Sequence, residues 1–374
     1  MTEIYKGLAG VTVDQTKIST INVAEASLMY RGYPVQELAE HCRFEEVAYL
    51  MWHDDLPNSD QLKQFQNAER AQRAISEDLM NVLKSFRKAA HPMDSLRTAI
   101  SYIGLQDPKW EDSCPQELKE KAIGLLAKIP TIIAADHRLR HGQEPIAPRD
   151  DLGLSENFFY MYFGSAPDKA VVDAFDASLI FYAEHSFNAS TFTARTIISS
   201  LSDIYSAVTG AVGSLKGSLH GGANEAVMHT FLEIGSPEKA EGWLRGKIAK
   251  KELVMGFGHR VYKNGDSRVP HMTKVFYDTA AQLDGENWVE ISKVLNKIMV
   301  EEKGIHPNLD FPVGPLYYMM GFDIPVFTPI FVMSRITGWC AHIMEQLADN
   351  KLVRPLSQYN GKDKRAVLPI NKRA

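Results

Sequence analysis

The chain has 374 residues, enough for two domains or one large one with a sizeable apolar core. Apolar residues make up 45% and charged residues 23%, the usage of a soluble globular protein, which excludes collagenous, disordered and mucin-like classes. Lys plus Arg is 41 against 46 for Asp plus Glu, a formal charge of −5 that offers no general attraction to nucleic acid, and three scattered cysteines (Cys42, Cys114, Cys340) fit a reducing, cytoplasmic setting without a disulfide framework.

Residues 1–10 carry Glu3 and show neither a long apolar run nor an Arg-rich amphipathic pattern, so no leader is expected. Residues 11–19, Val-Thr-Val-Asp-Gln-Thr-Lys-Ile-Ser, mix β-branched and polar side chains at short period and predict a strand or hairpin, the one good strand candidate. From Pro34 onward the spacing turns helical, as in Val35, Leu38 and Ala39, then Val47, Leu50 and Met51. Val171, Phe175, Leu179 and Tyr182 predict a further helix, started at Asp168. The apolar stretch 316–339 is broken by Asp323, Pro325, Pro329 and Arg335, so it reads as a buried core segment and not as a membrane span. Trp339, Ile343 and Leu347, with Ile336 and Cys340 on a neighbouring face, predict a helix buried on most sides. The fold class is therefore mainly α. Glycine and proline cluster at 142–148, 210–222 and 304–314, which predicts loops able to carry catalytic groups. The last two clusters bracket a Lys- and Glu-rich segment, so 221–315 is expected to form a smaller domain, with 1–220 and 316–374 forming the large one.

Several common signatures fail. Gly256-Phe257-Gly258-His259-Arg260-Val261 lacks the third glycine of a dinucleotide fingerprint, and Lys216-Gly217-Ser218 lacks the spacing of a phosphate-binding loop. No cofactor is expected. His137 and His141 sit four apart, but Arg138 and Arg140 beside them would repel a cation, so the pair reads as a solvated helix face and no metal is expected.

Three places carry chemistry. His220 is flanked by Gly217, Gly221 and Gly222 ahead of a helix-like run, where a neutral imidazole could donate to a developing oxyanion. His259 lies in a second glycine-rich turn followed by Arg260, Lys263 and Arg268, a concentration of charge suited to a polyanionic small molecule. Asp310 stands between Pro307 and Pro312 in a rigid loop beside Leu309 and Phe311, surroundings that raise a carboxyl pKa and suit a base. Each alone has a bland reading as a cap region, a solvated loop or a turn former. Arg335, inside an otherwise apolar helix without an obvious acidic neighbour, and Arg354 before Pro355 call for an anionic ligand.

At these residues the chain resembles the citrate synthase family, within it the short bacterial branch that includes 2-methylcitrate synthases. The resemblance runs nearly end to end, through Tyr30-Arg31-Gly32-Tyr33-Pro34, Glu184-His185-Ser186-Phe187-Asn188-Ala189-Ser190-Thr191, the two glycine-histidine loops, Asn308-Leu309-Asp310, and Ser334-Arg335 to Glu345-Gln346. It implies a mostly helical homodimer whose small domain closes over oxaloacetate before an acyl-CoA thioester binds. It also implies His220, His259 and Asp310 as catalytic residues, and His185, Arg268, Arg335 and Arg354 as holding the oxaloacetate carboxylates, with Arg354 reaching in from the partner subunit. Lys263 lies where the family places a cation for CoA phosphate. Tyr182 stands where many citrate synthases have a histidine and looks like the 2-methylcitrate branch, which tilts acyl choice toward propionyl-CoA. One methyl group is worth only about 1–3 kcal/mol of discrimination, so activity with acetyl-CoA is expected as well. The alternative is a citrate synthase restricted to acetyl-CoA. A competing reading from another class, a helical scaffold without turnover, would leave the histidines and arginines without a purpose and predicts no oxaloacetate binding. Neither nucleic acid nor membrane is expected as a partner.

Overall fold

The computed structural model describes residues 4–8, 10–22, 27–259, 262 and 265–373. Near the N-terminus three short antiparallel strands, β1 (Ser19–Asn22), β2 (Ser27–Tyr30) and β3 (Tyr33–Pro34), form one sheet in the order β1-β2-β3, with Ser19 opposite Tyr30 and Tyr30 opposite Tyr33. The strand predicted at 11–19 is therefore displaced: residues 11–16 have no regular structure and the ladder begins at Ser19. Val11 and Val13 are exposed, and this stretch is fastened by side chains instead, with Asp14 paired to Arg195 at 2.9 Å and the Lys17 N–H donating to Glu345 at 2.8 Å.

Beyond the sheet the regular elements among the described residues are helices, as the periodicity predicts. The order is α1 (Val35–His41), α2 (Phe44–His53), α3 (Ser59–Arg70), α4 (Glu77–Lys84), α5 (Pro92–Gln106), α6 (Pro115–Arg140), α7 (Leu154–Phe163), α8 (Lys169–Tyr182), α9 (Ala189–Ile198), α10 (Ile204–Leu215), α11 (Ala223–Ile234), α12 (Pro237–Ala249), α13 (Arg268–Ala280), α14 (Glu286–Lys297), α15 (Asp310–Met319) and α16 (Phe327–Ala348). Local chemistry sets many of the starts. Asn58 and Gln61 cap α3 reciprocally at 2.9 Å, Asn188 accepts the Thr191 N–H at 3.1 Å to open α9, and Pro92 and Pro115 occupy first-turn positions whose N–H would have no partner. Two of the predicted loops are shorter than expected. Gly210 lies inside α10, which runs to Leu215, and Gly314 lies inside α15, because Pro312 in its first turn needs no N–H partner.

The core gathers around α16, which packs against α2, α6, α8, α9 and α10, with α5 bridging α6 and α10. Long and apolar enough to cross a membrane by length alone, α16 is instead buried inside the fold, as its sequence predicts. Gly338 lets α16 come this close to α8: a Cβ there would stand 2.3 Å from Glu184 Oε2 and 2.6 Å from the Ala183 carbonyl. Further helix contacts join α11 to α15, α12 to α14, and α13 to both α14 and α15. α8 and the first turn of α9 thus converge on the middle of α16, while the start of α11 meets its first turn through Glu225 and Thr328.

Candidate active site

A helix leaves its last carbonyls without intrahelical donors, and α8 ends in the protein interior, so these carbonyls need partners there. Two arginines supply them. Arg268, the first residue of α13, donates from Nη1 to Phe181 O at 3.3 Å, and Arg335 of α16 donates from Nε to Tyr182 O at 2.6 Å. The negative end of the α8 dipole faces the same two cations. The buried Tyr30 hydroxyl, from β2, donates to Glu184 O at 2.9 Å and braces the turn that follows α8.

The two guanidinium groups differ in what balances them. Asp266 accepts from Arg268 Nε at 2.9 Å and Nη2 at 2.7 Å, and this buried pairing holds Arg268 above its usual pKa despite desolvation. Arg335 is 2% exposed and, among the described residues, has no carboxylate within 4 Å. Its guanidinium lies over the Phe331 ring at 4.7 Å, and burial lowers its pKa to about 10, so it stays charged at neutral pH. Beside it His185 is buried, its Nε2 has no hydrogen-bond partner among the described residues, and desolvation together with Arg268 keeps the ring neutral. A buried cation and an orphaned imidazole nitrogen on one wall make a site for an anion.

His220 sits in the turn between α10 and α11, its backbone held by Gly217 O at 2.9 Å. In the first turn of α9 the Ser190 amide donates to His220 Nε2 at 3.2 Å, with the Ser190 hydroxyl 2.8 Å from the same atom. A peptide N–H can only donate, so Nε2 is the acceptor and the proton resides on Nδ1, available to a ligand. Burial, with Arg335 nearby, pushes the pKa of His220 down to about 3, so the ring is a neutral donor.

The remaining two groups arrive on strapped loops. Gly258 N–H donates to His306 O at 2.8 Å, Asn308 N–H to Gly256 O at 2.9 Å, and the Asn308 side chain to Gly258 O at 3.0 Å, so the segments around 257 and 307 travel together. Gly256 has φ 86°, and a Cβ there would meet Val227 at 2.8 Å and Phe311 at 3.0 Å, so the strap requires glycine. His259 follows, its ring centroid 5.2 Å from that of His185, and its Nδ1 accepts the Tyr262 amide at 3.2 Å, which leaves the proton on Nε2. Asp310 is the first residue of α15, not a loop residue as the sequence suggests, and its amide is capped by Asn308 Oδ1 at 3.1 Å.

Asp310 accepts from the Tyr182 hydroxyl at 2.6 Å, and the Tyr182 ring lies 4.2 Å from Phe331. Burial raises the Asp310 pKa to about 6, while the Tyr182 hydrogen bond and the two arginines restrain the rise. The carboxylate is the form present above that pH, so any step that uses it as a base fades as pH falls through about 6. Removing the Tyr182 hydroxyl removes a restraint on the rise. Tyr182→Phe should therefore move the acidic limb of the kcat/KM profile to higher pH, and a profile that stays in place or moves the other way counts against Asp310 as the titrating group.

His185, His220, His259, Arg268, Arg335, Tyr182 and Asp310 thus come together around the end of α8. Arg354 does not. It is exposed in the tail beyond α16, which is tied down just before it where Val353 N–H meets Ser199 Oγ at 3.0 Å. Lys263 lies outside the described residues. The sequence reading missed Asp266, two residues from Arg268 and visible as an acid next to a cationic run, and Ser190, which lies inside a quoted motif. It also missed Phe331, whose role as the shared wall of Tyr182 and Arg335 had no local signal.

The family model described as citrate synthase, C-terminal domain, matches residues 7–356. A 2-methylcitrate synthase of Mycobacterium tuberculosis is 55% identical over 367 residues, covering 98% of this chain and 93% of the relative. A citrate synthase of Mycolicibacterium smegmatis is 55% identical over 365 residues, covering 98% and 97%. Among solved structures, the ternary complex of citrate synthase from Thermoplasma acidophilum with carboxymethyl coenzyme A and oxaloacetate superposes with a TM-score of 0.94 at 30% identity over the full length of both chains. With family match, relatives and architecture in agreement, the chain belongs to the citrate synthase family and is an enzyme of the acyltransferase type.

Proposed function

We propose that the protein condenses propionyl-CoA, and acetyl-CoA as a second substrate, with oxaloacetate and water to give 2-methylcitrate or citrate and free CoA. The observation that carries this reading is the buried Arg335, with no carboxylate within 4 Å among the described residues, beside the orphaned His185 Nε2, on the same wall as a raised-pKa carboxylate and a neutral imidazole donor. Oxaloacetate is a dianion, and Arg335, Arg268 and His185 offer N–H donors to it, with Arg354 of a partner subunit completing the set in a homodimer.

The chemistry follows from the proton positions. The Asp310 carboxylate takes the α-proton of the thioester while the Nδ1–H of His220 donates to the thioester oxygen and stabilises the enol or enolate. The carbon so formed attacks the oxaloacetate ketone, whose oxygen receives the Nε2 proton of His259 and becomes the tertiary hydroxyl. Water then hydrolyses the thioester, releasing acid and CoA. Neither base nor donor suffices alone, because the α-proton is far less acidic than a carboxylic acid and both must act in a dry site. In this reading 221–315 closes as a smaller domain over the bound dianion, Lys263 contacts CoA phosphate, and Tyr182 shapes the acyl pocket.

Purified protein mixed with oxaloacetate and each thioester should release CoA, detected with a thiol reagent, and kcat/KM should favour propionyl-CoA. A higher value for acetyl-CoA with no propionyl-CoA turnover selects the restricted citrate synthase reading. Release with neither thioester overturns the proposal.

A further inference from the structure

His137 stands on the last turn of α6 and His141 is the residue that caps its end, and the two rings lie side by side with centroids 4.4 Å apart. The fold brings Asp323, from the turn between α15 and α16, against that face: its Oδ2 is 3.4 Å from His137 Nδ1 and 3.4 Å from His141 Nε2. All three candidate donor atoms lie within 4.8 Å of one another, and this is the one such group found among the described residues. The arginines that argue against a cation in the sequence are near enough to act on His137, and Arg138 Nη1 reaches Tyr162 O at 3.4 Å, but their other donors are engaged elsewhere. Arg138 donates to Glu144 O at 2.6 Å and Arg140 to Asp136 at 2.7 Å and to Ser95 at 2.8 Å, since successive helix positions are about 100° apart.

We propose that His137, His141 and Asp323 form a surface site for a divalent cation of the zinc class, with water completing the shell. The distances fit this use. A tetrahedral ion with bonds of about 2.1 Å has edges of about 3.4 Å, whereas a charge-assisted N–H···O⁻ hydrogen bond is about 2.7–2.9 Å. Two edges are already at that length, and the third closes by a small shift of the His141 side chain, which is 48% exposed. The proton positions fit too. His141 Nδ1 lies 2.9 Å from the His137 carbonyl, which can only accept, so in the neutral ring Nε2 presents its lone pair to Asp323. Metal-bound histidines commonly donate their other N–H to a backbone carbonyl in this way. Tyr162 holds two of the three ligands in place: its ring stacks on His137 with centroids 3.7 Å apart, and its hydroxyl lies 3.4 Å from the Asp323 amide. Asp323 is 47% exposed, so an ion can enter and retain water. The donor set of two nitrogens and one oxygen suits Zn(II), Co(II) or Ni(II) better than Mg(II) or Ca(II). Because the donors come from segments about 180 residues apart, the ion would clamp the end of α6 to the start of α16.

The test uses the full-length protein stripped with EDTA and transferred to a buffer without carboxylate chelators. Zn(II) titration by calorimetry should give one ion per chain. Asp323→Asn and His141→Ala should each weaken binding at least tenfold, while Cys42→Ser/Cys114→Ser should leave it unchanged. Co(II) should give a visible d–d spectrum without the near-ultraviolet sulfur charge-transfer band of a thiolate ligand. Zn(II) should raise the melting temperature of the unaltered protein and not that of either ligand variant, and melting in EDTA reports whether each variant is folded. Should a ligand variant fail to fold, the Co(II) spectrum and the cysteine variant decide alone. No saturable binding, unchanged affinity in folded ligand variants, or loss confined to the cysteine variant overturns the site.

Discussion

Asp310→Asn is expected to lower kcat by about two to four orders of magnitude, the usual contribution of a positioned general base, while oxaloacetate affinity changes only a few-fold. The substitution keeps the shape of the side chain and leaves an amide oxygen to accept the Tyr182 hydroxyl, so the first turn of α15 and the strap beside it should stay in place. What it removes is proton affinity. Burial gives Asp310 a pKa of about 6, which makes it a stronger base than an ordinary carboxylate yet leaves it mostly ionised at neutral pH. Steady-state kinetics with calorimetric measurement of oxaloacetate binding separates the two effects. A variant that turns over at the original rate removes Asp310 from the proton-transfer step.

The second large effect is expected at Arg335, where binding and stability should part company. Truncating one partner of a buried charged contact typically costs about 2–5 kcal/mol of binding, so Arg335→Met should weaken oxaloacetate about 30-fold or more. The same change relieves the folded, unliganded protein of a cation whose desolvation outweighs the attraction of Glu184, the buried carboxylate that acts on it without direct contact. Against this stands the lost donor to Tyr182 O, worth about 1–3 kcal/mol if that carbonyl is left unmade. Thermal stability should therefore change little, or rise, while affinity collapses. Arg335→Lys, which keeps the charge but not the fork of donors, should fall between the two in affinity. Unchanged oxaloacetate binding in folded Arg335→Met would show that the cation serves the fold and not the ligand.

The sequence revealed what is local and concealed what is not. The isolation of Asp310 among prolines and apolar neighbours is a property of six consecutive residues, and it correctly foretells a raised pKa. Arg335 in an apolar helix announces an unmatched charge on similar grounds. The Tyr182–Asp310 hydrogen bond joins residues 128 apart, so no window along the chain could contain it. Strand propensity misplaced the N-terminal sheet because Val11 and Val13 have the right chemistry for a ladder but lie outside it, exposed. Charge counted along the chain could not show Asp323 beside His137 and His141, because that carboxylate arrives from a segment about 180 residues away while Arg138 and Arg140 also bond other acceptors. The helices themselves were the most legible feature, since Val171, Phe175, Leu179 and Tyr182 recur at the period of the face they bury.

The two imidazoles that would bracket the reacting carbonyls owe their opposite orientations to main-chain amides, those of Ser190 for His220 and Tyr262 for His259. A side-chain donor can be lost through any of many single substitutions, but a peptide N–H survives all of them except proline. Drift at positions 190 and 262 can therefore alter fit and rate without reversing either ring, and the directionality of proton delivery is written into the path of the backbone, where point mutation rarely reaches.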